Sequence, residues 1–218
     1  MPKPGRLDVR GHGGEQVKNS LFDIGARNGA ILFPGGGYTF QMPLLYYTTA
    51  TLISAGYDVL QVHFDYDSAF LSLPEEEQMR LLGEDVVAAY DAFVANKRYW
   101  NLALAGKSLG GFAMGKIIDA RGLPQGARLI WLTPMLTDPY VSELVQRLPA
   151  GSKSAFFTGT ADSRYYDAGL AKRLSGTKDH RVTTIENADH SLELHGDVQG
   201  SMDVLKRVMG EIADFAKV

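Results

Sequence analysis

Short apolar segments alternate with longer amphipathic segments along most of this 218-residue sequence. Six apolar segments have the length of buried strands: 30–33, 57–64, 102–105, 128–132, 155–158 and 181–185. Because helical patterns separate these strands, the sequence predicts an α/β fold with a mostly parallel sheet and helices on both faces. We expect one further, antiparallel edge strand within residues 15–24.

The predicted helices fill the segments between the strands and the end of the chain: 42–55, 74–97, 109–120, 141–148, 165–174 and 197–215. In the longest, Pro74 and the three Glu after it are typical of a helix N-terminus. In the last helix, one face carries the apolar residues Val198, Met202, Leu205, Met209 and Ile212. We expect that face to be buried.

Composition limits the function classes that fit this chain. A hydrophobic content of 45% and a charged content of 22% are typical of a globular protein, and we expect a single domain over residues 1–218. A net charge of −3 gives no basic surface for a nucleic-acid partner. The absence of cysteine excludes disulfides, thiolate catalysis and Cys-ligated zinc.

The N-terminal segment is polar and rich in glycine and proline, and we expect residues 1–14 to be flexible. It lacks the apolar stretch of a secretory signal, and no run of 18 apolar residues occurs. We therefore expect a cytoplasmic protein without a membrane partner.

Residues 106–110 read G-K-S-L-G, a G-x-S-x-G motif between a predicted strand and a predicted helix. In a nucleophile elbow, a sharp turn at this place lifts the serine, here Ser108, out of the sheet, and flanking glycines avoid collisions. The Leu109 N–H at the helix start can then donate to an oxyanion. A phosphate-binding P-loop would need a glycine where Asn101 stands.

A second glycine-rich segment, with the sequence P-G-G-G-Y, occupies residues 34–38 directly after the first parallel strand. Glycines let a backbone turn tightly and bring its N–H groups close to a ligand. A loop at this place supplies the second oxyanion donor of hydrolases. We expect that donor to be the backbone of Gly36, Gly37 or Tyr38; the alternative is an ordinary turn after a strand.

A serine nucleophile needs a base and an acid that orients the base, and here they should follow in the order Ser, Asp, His. Of the five histidines, His190 lies just after the last predicted strand, at the carboxyl edge of the sheet. Asp162 follows the strand 155–158 and is the predicted acid, with Asp138 as the reserve candidate. His195 is expected to be solvated.

Taken together, these segments resemble the α/β-hydrolase superfamily over almost the whole chain, from about Ala30 to the last helix. The resemblance rests on the P-G-G-G-Y loop, on G-K-S-L-G-G at residues 106–111, on G-T-A-D at 159–162 and on D-H-S at 189–191. It implies hydrolysis of a small carboxylic ester, thioester or amide by Ser108, His190 and Asp162, with no metal or cofactor. Pro34 stands where many esterases carry His, and the chain lacks the cysteine of dienelactone hydrolases.

Many relatives insert a lid domain before the strand that carries the acid, whereas only about 20 residues, 133–152, are available here. The sequence thus predicts a lidless fold with an open or shallow site for a small molecule. We expect Tyr38, Leu109 and Met135 to line it, and Lys107 is open to contact with substrate or with solvent. Two alternatives remain: acyl transfer or a lyase reaction on the same fold, and a non-catalytic binding protein.

Overall fold

The computed structural model describes residues 1–149 and 151–217. Within these ranges, seven strands form one sheet: β1 (Asn19–Phe22), β2 (Asn28–Phe33), β3 (Tyr57–Val62), β4 (Asn101–Lys107), β5 (Arg128–Leu132), β6 (Lys153–Gly159) and β7 (His180–Ile185). Their order across the sheet is β1-β3-β2-β4-β5-β6-β7, and β1 is antiparallel to β3 while the other pairs are parallel. The predicted mostly parallel sheet and its antiparallel edge strand are confirmed.

Helices cover both faces of the sheet: α1 (Pro43–Ser54), α2 (Ser68–Leu71), α3 (Glu75–Asn96), α4 (Leu109–Arg121), α5 (Pro139–Gln146), α6 (Ala168–Ser175) and α7 (Val198–Ala216). On one face, α3 to α6 pack in a core cluster with Ile31 and Phe33 of β2. On the other face, α1 and α7 pack with Ala30 and Leu32. The alternation of side chains along β2 thus serves two cores.

Three helices differ from the prediction. The four-residue α2 was not predicted because it is too short for a periodic pattern. Helix α6 begins at Ala168, later than expected, because the Asp167 side chain accepts a hydrogen bond from the Leu170 N–H and caps the helix. In α7, Ile212 is buried as expected, but Val198 and Met202 are exposed, since the first turns of α7 border a groove.

The N-terminal segment 1–14, expected to be flexible, makes defined contacts with the domain. Gly5 and Leu21 of β1 exchange two backbone hydrogen bonds of 2.8 and 3.0 Å. Val9 is buried in the core, and His12 is hydrogen-bonded to Asp85 of α3. These contacts pack the segment against β1 and α3.

The connection between β5 and β6 contains α5, and no additional domain lies there in the described part of the chain. The lidless architecture predicted from the short connection is therefore confirmed. None of the helices within residues 1–149 and 151–217 combines the length and the apolar character needed to cross a bilayer.

Candidate active site

Ser108 lies in a sharp turn between the last residue of β4 and the first residue of α4. Its backbone has φ 53° and ψ −112°, a conformation that side-chain-bearing residues rarely adopt. The Ser108 N–H donates to the Leu132 carbonyl at 3.0 Å, and the Ser108 carbonyl accepts from the Gly111 N–H at 2.8 Å. Strain of this kind persists where the surroundings impose it, often at functional sites.

The two glycines of the G-x-S-x-G motif are required by close backbone approaches. A Cβ on Gly106 would overlap the Gly110 carbonyl, and a Cβ on Gly110 would overlap the carbonyl of Phe33 in β2. The strand, the turn and the helix can therefore meet only if both positions lack a side chain. This is the steric requirement of a nucleophile elbow.

His190 and Asp162 form a direct hydrogen bond, with 2.5 Å between His190 Nδ1 and Asp162 Oδ2. The Asp162 side chain is buried, and its other oxygen, Oδ1, accepts from the Tyr165 N–H at 3.2 Å. Because Nδ1–H donates to the carboxylate, the neutral ring carries its free lone pair on Nε2. The acid thus holds the histidine in the tautomer that a general base needs.

Backbone hydrogen bonds join the loops after β6 and β7, and this pairing brings His190 next to Asp162. The Ala161 N–H donates to the Ala188 carbonyl at 2.9 Å, and the Thr160 N–H donates to the Ile185 carbonyl at 3.0 Å. A Cβ on Gly159 would overlap the Ala188 carbonyl. The glycine that ends β6 therefore permits the contact between the two loops.

Ser108 and His190 both lie at the carboxyl edge of the sheet, but no hydrogen bond joins them. His190 Nε2 is buried and has no hydrogen-bond partner among the described residues. Hydrogen bonds between a catalytic base and its nucleophile are often long or absent before substrate binds. Burial, followed by the charge of Lys107, lowers the pKa of His190 below its ordinary value of 6.5, despite the opposing effect of Asp162. The ring is therefore mainly neutral at pH 7.

The glycine loop approaches the elbow through Gly35, which sequence reasoning did not select. The point where a Gly35 Cβ would stand is 3.4 Å from Ser108 Cβ. The Tyr38 N–H is already directed to the Gly35 carbonyl, at 3.4 Å, so it fits the oxyanion-donor prediction less well than Gly36 or Gly37. The Leu109 N–H, at the first position of α4, lies where a helix leaves its N–H groups free of intrahelical bonds.

The residues predicted to line the site are mostly packed into the protein. Tyr38 is buried and its hydroxyl accepts from the Leu44 N–H at 3.1 Å, while Met135 and Leu109 are half-buried against the core. Beside the His190 loop lies a groove of about 390 Å³ that the sequence did not predict. Its apolar lining comes from Pro43, Leu44, Leu192, Leu194, Met202 and Leu205.

Asp138 and His195, the other acid and histidine considered from the sequence, lie in different surroundings from Asp162 and His190. The side chain of Asp138, the reserve acid, accepts from the Val141 N–H at 3.0 Å and caps α5. His195 is exposed, as expected. Among the described residues, no group of three or more His, Asp or Glu side chains is arranged to hold a metal ion.

Comparison with known proteins identifies the fold. No family model matches the sequence, and no curated protein matches it. A lidless α/β serine hydrolase from Xanthomonas campestris is 15% identical, with a TM-score of 0.74 over 100% of this chain and 95% of that one. A Pyrococcus furiosus esterase is 11% identical, with a TM-score of 0.70 over 99% of this chain and 92% of that one. A dienelactone hydrolase from Anabaena variabilis is 17% identical, with a TM-score of 0.68 over 98% of this chain and 97% of that one.

Proposed function

Because the chain has the α/β-hydrolase fold, we propose that it is a serine hydrolase that cleaves a small carboxylic ester through Ser108, His190 and Asp162. One observation carries the proposal. The His190–Asp162 hydrogen bond occupies Nδ1, so the nitrogen left without a partner is Nε2, the atom that must take the serine proton. It is found at the sheet edge that also carries the strained Ser108.

The reaction has two steps. His190 Nε2 takes the proton of Ser108 Oγ, which attacks the ester carbonyl, and the resulting oxyanion accepts hydrogen bonds from Leu109 and the 36–37 backbone. His190 then gives the proton to the leaving alcohol, and an acyl-serine remains. His190 takes a proton from water, which attacks the acyl carbonyl. The bond from the acyl carbon to Ser108 Oγ then breaks, the acid is released, and His190 returns the proton to Oγ. Asp162 stabilises the imidazolium in both steps.

The surroundings of the site favour a small substrate with a short apolar part. No lid domain covers the sheet edge in the described ranges, and the mainly apolar groove of limited volume is lined in part by Asp189 and Ser191, the neighbours of His190. Ester, thioester and amide carbonyls all suit the same chemistry, and an ester is easier to cleave than an amide because an alkoxide leaves more readily than an amide nitrogen.

The test is turnover of p-nitrophenyl acetate, butyrate and octanoate by the parent, by Ser108→Ala and by Ser163→Ala, which removes an exposed hydroxyl one residue after Asp162. We expect activity that falls with chain length in the parent and in Ser163→Ala, and that is lost in Ser108→Ala. Equal activity in the parent and Ser108→Ala, or none in a folded parent, would reject serine hydrolysis. A product that shifts from acid to ester when an alcohol acceptor is added would indicate acyl transfer instead.

A further inference from the structure

Lys107, the residue directly before Ser108, is a buried lysine at the edge of the candidate active site. It is only 2% exposed. Its side chain passes the glycine loop, with Cδ 3.0 Å from the point where a Gly35 Cβ would stand, and Nζ lies 4.7 Å from the centroid of the Tyr38 ring. Burying an ammonium group is costly unless something compensates it.

The ammonium of Lys107 has no direct anionic partner. Among the described residues, no ion pair or hydrogen bond involves Nζ, although the charges of Asp162 and Asp189 act on it from a distance. Asp162 is engaged by His190, and the Asp189 side chain accepts from the N–H groups of Ser191 and Glu193. The face of the Tyr38 ring is thus the one partner of Nζ within the described residues, and Nζ is not among the fully buried polar atoms that lack a partner, so solvent reaches it.

Lys97 shows how this protein holds a lysine for structural reasons. Its Nζ lies 2.7 Å from Asp58 Oδ2, and Asp58 is a fully buried carboxylate. That pair compensates both charges inside the protein. Lys107 is more deeply buried than Lys97 and lacks such a pair, so a structural charge balance does not explain it.

The position of Lys107 next to Ser108 indicates a functional explanation for its burial instead. The point where a Gly35 Cβ would stand lies 3.0 Å from Lys107 Cδ and 3.4 Å from Ser108 Cβ, so the lysine side chain and Ser108 pack against the same glycine. Burial lowers the pKa of Lys107 to about 8, against the opposing effect of Asp162 and Asp189, and the group is still mainly charged at pH 7. An anion that reaches Lys107 Nζ beside the Ser108 turn would receive charge-assisted hydrogen bonds.

We propose that Lys107 binds an anionic group of the substrate, so that the preferred ester carries a carboxylate close to its scissile carbonyl. The proposal rests on serine hydrolysis at Ser108 and specifies the substrate class of that same site. The carboxylate belongs either to the acyl part or to the leaving alcohol, and both sources present the same chemistry to the ammonium group.

Two substrate pairs test the proposal in the parent protein, with proton release as the assay. Monoethyl succinate against ethyl pentanoate places the carboxylate in the acyl part, and acetoxyacetate against propyl acetate places it in the leaving group. We expect kcat/KM to favour the anionic ester at least about tenfold in one pair, because a charge-assisted bond in a buried site is worth that factor or more. Preference for the neutral ester in both pairs would overturn the proposal.

Lys107→Met removes the charge and keeps much of the volume, and Lys107→Arg keeps the charge. The matched control is Lys116→Met, since Lys116 Nζ also lies 4.7 Å from an aromatic ring, that of Tyr140, but on the outer part of α4. We expect the ratio of the two kcat/KM values to fall about tenfold or more in Lys107→Met, to recover partly in Lys107→Arg, and to stay at the parent value in Lys116→Met. An unchanged ratio in folded Lys107→Met would overturn the proposal.

These outcomes are separable from failure of the hydrolase function. If neutral esters are cleaved in a Ser108-dependent way without any preference for the anionic ester, serine hydrolysis stands and the role of Lys107 falls. If Lys107→Met does not fold, as judged by circular dichroism, the test uses the parent protein instead. The measurement is then inhibition of its hydrolysis of ethyl pentanoate. Competitive inhibition by succinate but not by pentanol supports the anion site, and equal inhibition by both contradicts it.

Discussion

Two His–Asp pairs within the described part of the chain have similar geometry. His190 and Asp162 are 2.5 Å apart, and His12 and Asp85 are 2.9 Å apart, in each case through Nδ1. The side chains of the two histidines are 29% and 23% exposed, and those of the two aspartates 5% and 6%. His12 and Asp85 both line a cavity of about 530 Å³, whereas the cavity of about 390 Å³ is lined by the neighbours of His190, Asp189 and Ser191.

The surroundings of the two pairs differ. Asp85 also accepts from the His12 N–H at 2.8 Å and from the Tyr66 hydroxyl at 3.0 Å, so its carboxylate ties the N-terminal segment to α3. Asp162 instead lies at the carboxyl edge of the sheet, as does the strained Ser108. The His–Asp hydrogen bond therefore does not distinguish the two pairs, whereas their places in the fold do, because the His190–Asp162 pair shares its sheet edge with the strained Ser108.

The largest predicted difference between the pairs is in catalysis. We expect His190→Ala to lower kcat/KM for p-nitrophenyl acetate by roughly 10⁴-fold or more, because the serine loses its base. His12→Ala should keep the activity of the parent. The measurement is steady-state turnover of both purified variants, and comparable losses in the two would erase the distinction.

Replacing the acids sharpens the comparison. Asp162→Asn should lower kcat by roughly 10³–10⁴-fold with a small change in stability, because the histidine loses its orientation and its tautomer. Asp85→Asn should keep turnover but lower the free energy of unfolding by about 1–3 kcal/mol, since one of the two accepting oxygens of a buried side chain becomes an NH₂ donor. Urea denaturation and turnover of both variants check this, and a stable, inactive Asp85→Asn would contradict it.

A glycine packs next to each pair, and replacing it with alanine tests the comparison by steric overlap, with a smaller expected effect than the substitutions above. A Cβ on Gly159 would overlap the Ala188 carbonyl in the His190 loop, and a Cβ on Gly11 would overlap Asp85 Oδ1. Both Gly→Ala variants should lose stability, by about 1–3 kcal/mol. Only Gly159→Ala should also lose activity in the fraction that remains folded. Gly210→Ala is the control, because a Cβ there meets nothing within 4 Å.

The smallest expected effect is on the pH profile. Only neutral His190 accepts the proton of Ser108, so kcat/KM should rise with pH as the ring deprotonates. Since burial and Lys107 lower the pKa of His190, the midpoint should lie below 6.5. Lys107→Met should move the midpoint to higher pH, because the nearby positive charge is gone. A parent midpoint above 6.5 would contradict the low pKa.

The sequence predicted the parts of the site that depend on the ends of strands. Ser108, Asp162 and His190 each follow a strand of the parallel part of the sheet, and parallel strands place their carboxyl ends at one edge, so their order and place could be predicted. The Ser108 turn could be predicted from two glycines whose absence of side chains is a local requirement. These features need only local patterns and the topology of the sheet.

Other features depend on contacts between distant segments. His12 and Asp85 are 73 residues apart and join a glycine-rich segment to the middle of a helix, a contact that no periodic pattern predicts. The burial of Lys107 depends on how its side chain passes Gly35 and reaches Tyr38, which is a matter of packing at the end of β4. The groove next to the His190 loop likewise depends on packing, because the first turns of α7, which carry the exposed Val198 and Met202, form one of its walls.

Covalent labelling tests the central claim most directly. The protein is treated with a fluorophosphonate, followed by intact mass and peptide mapping, alongside Ser108→Ala, His190→Ala and His12→Ala. We predict one adduct, on the peptide that contains Ser108, absent in Ser108→Ala, strongly slowed in His190→Ala and at the parent rate in His12→Ala. No adduct on the folded parent, or an adduct that persists in Ser108→Ala, would contradict an activated serine at this elbow.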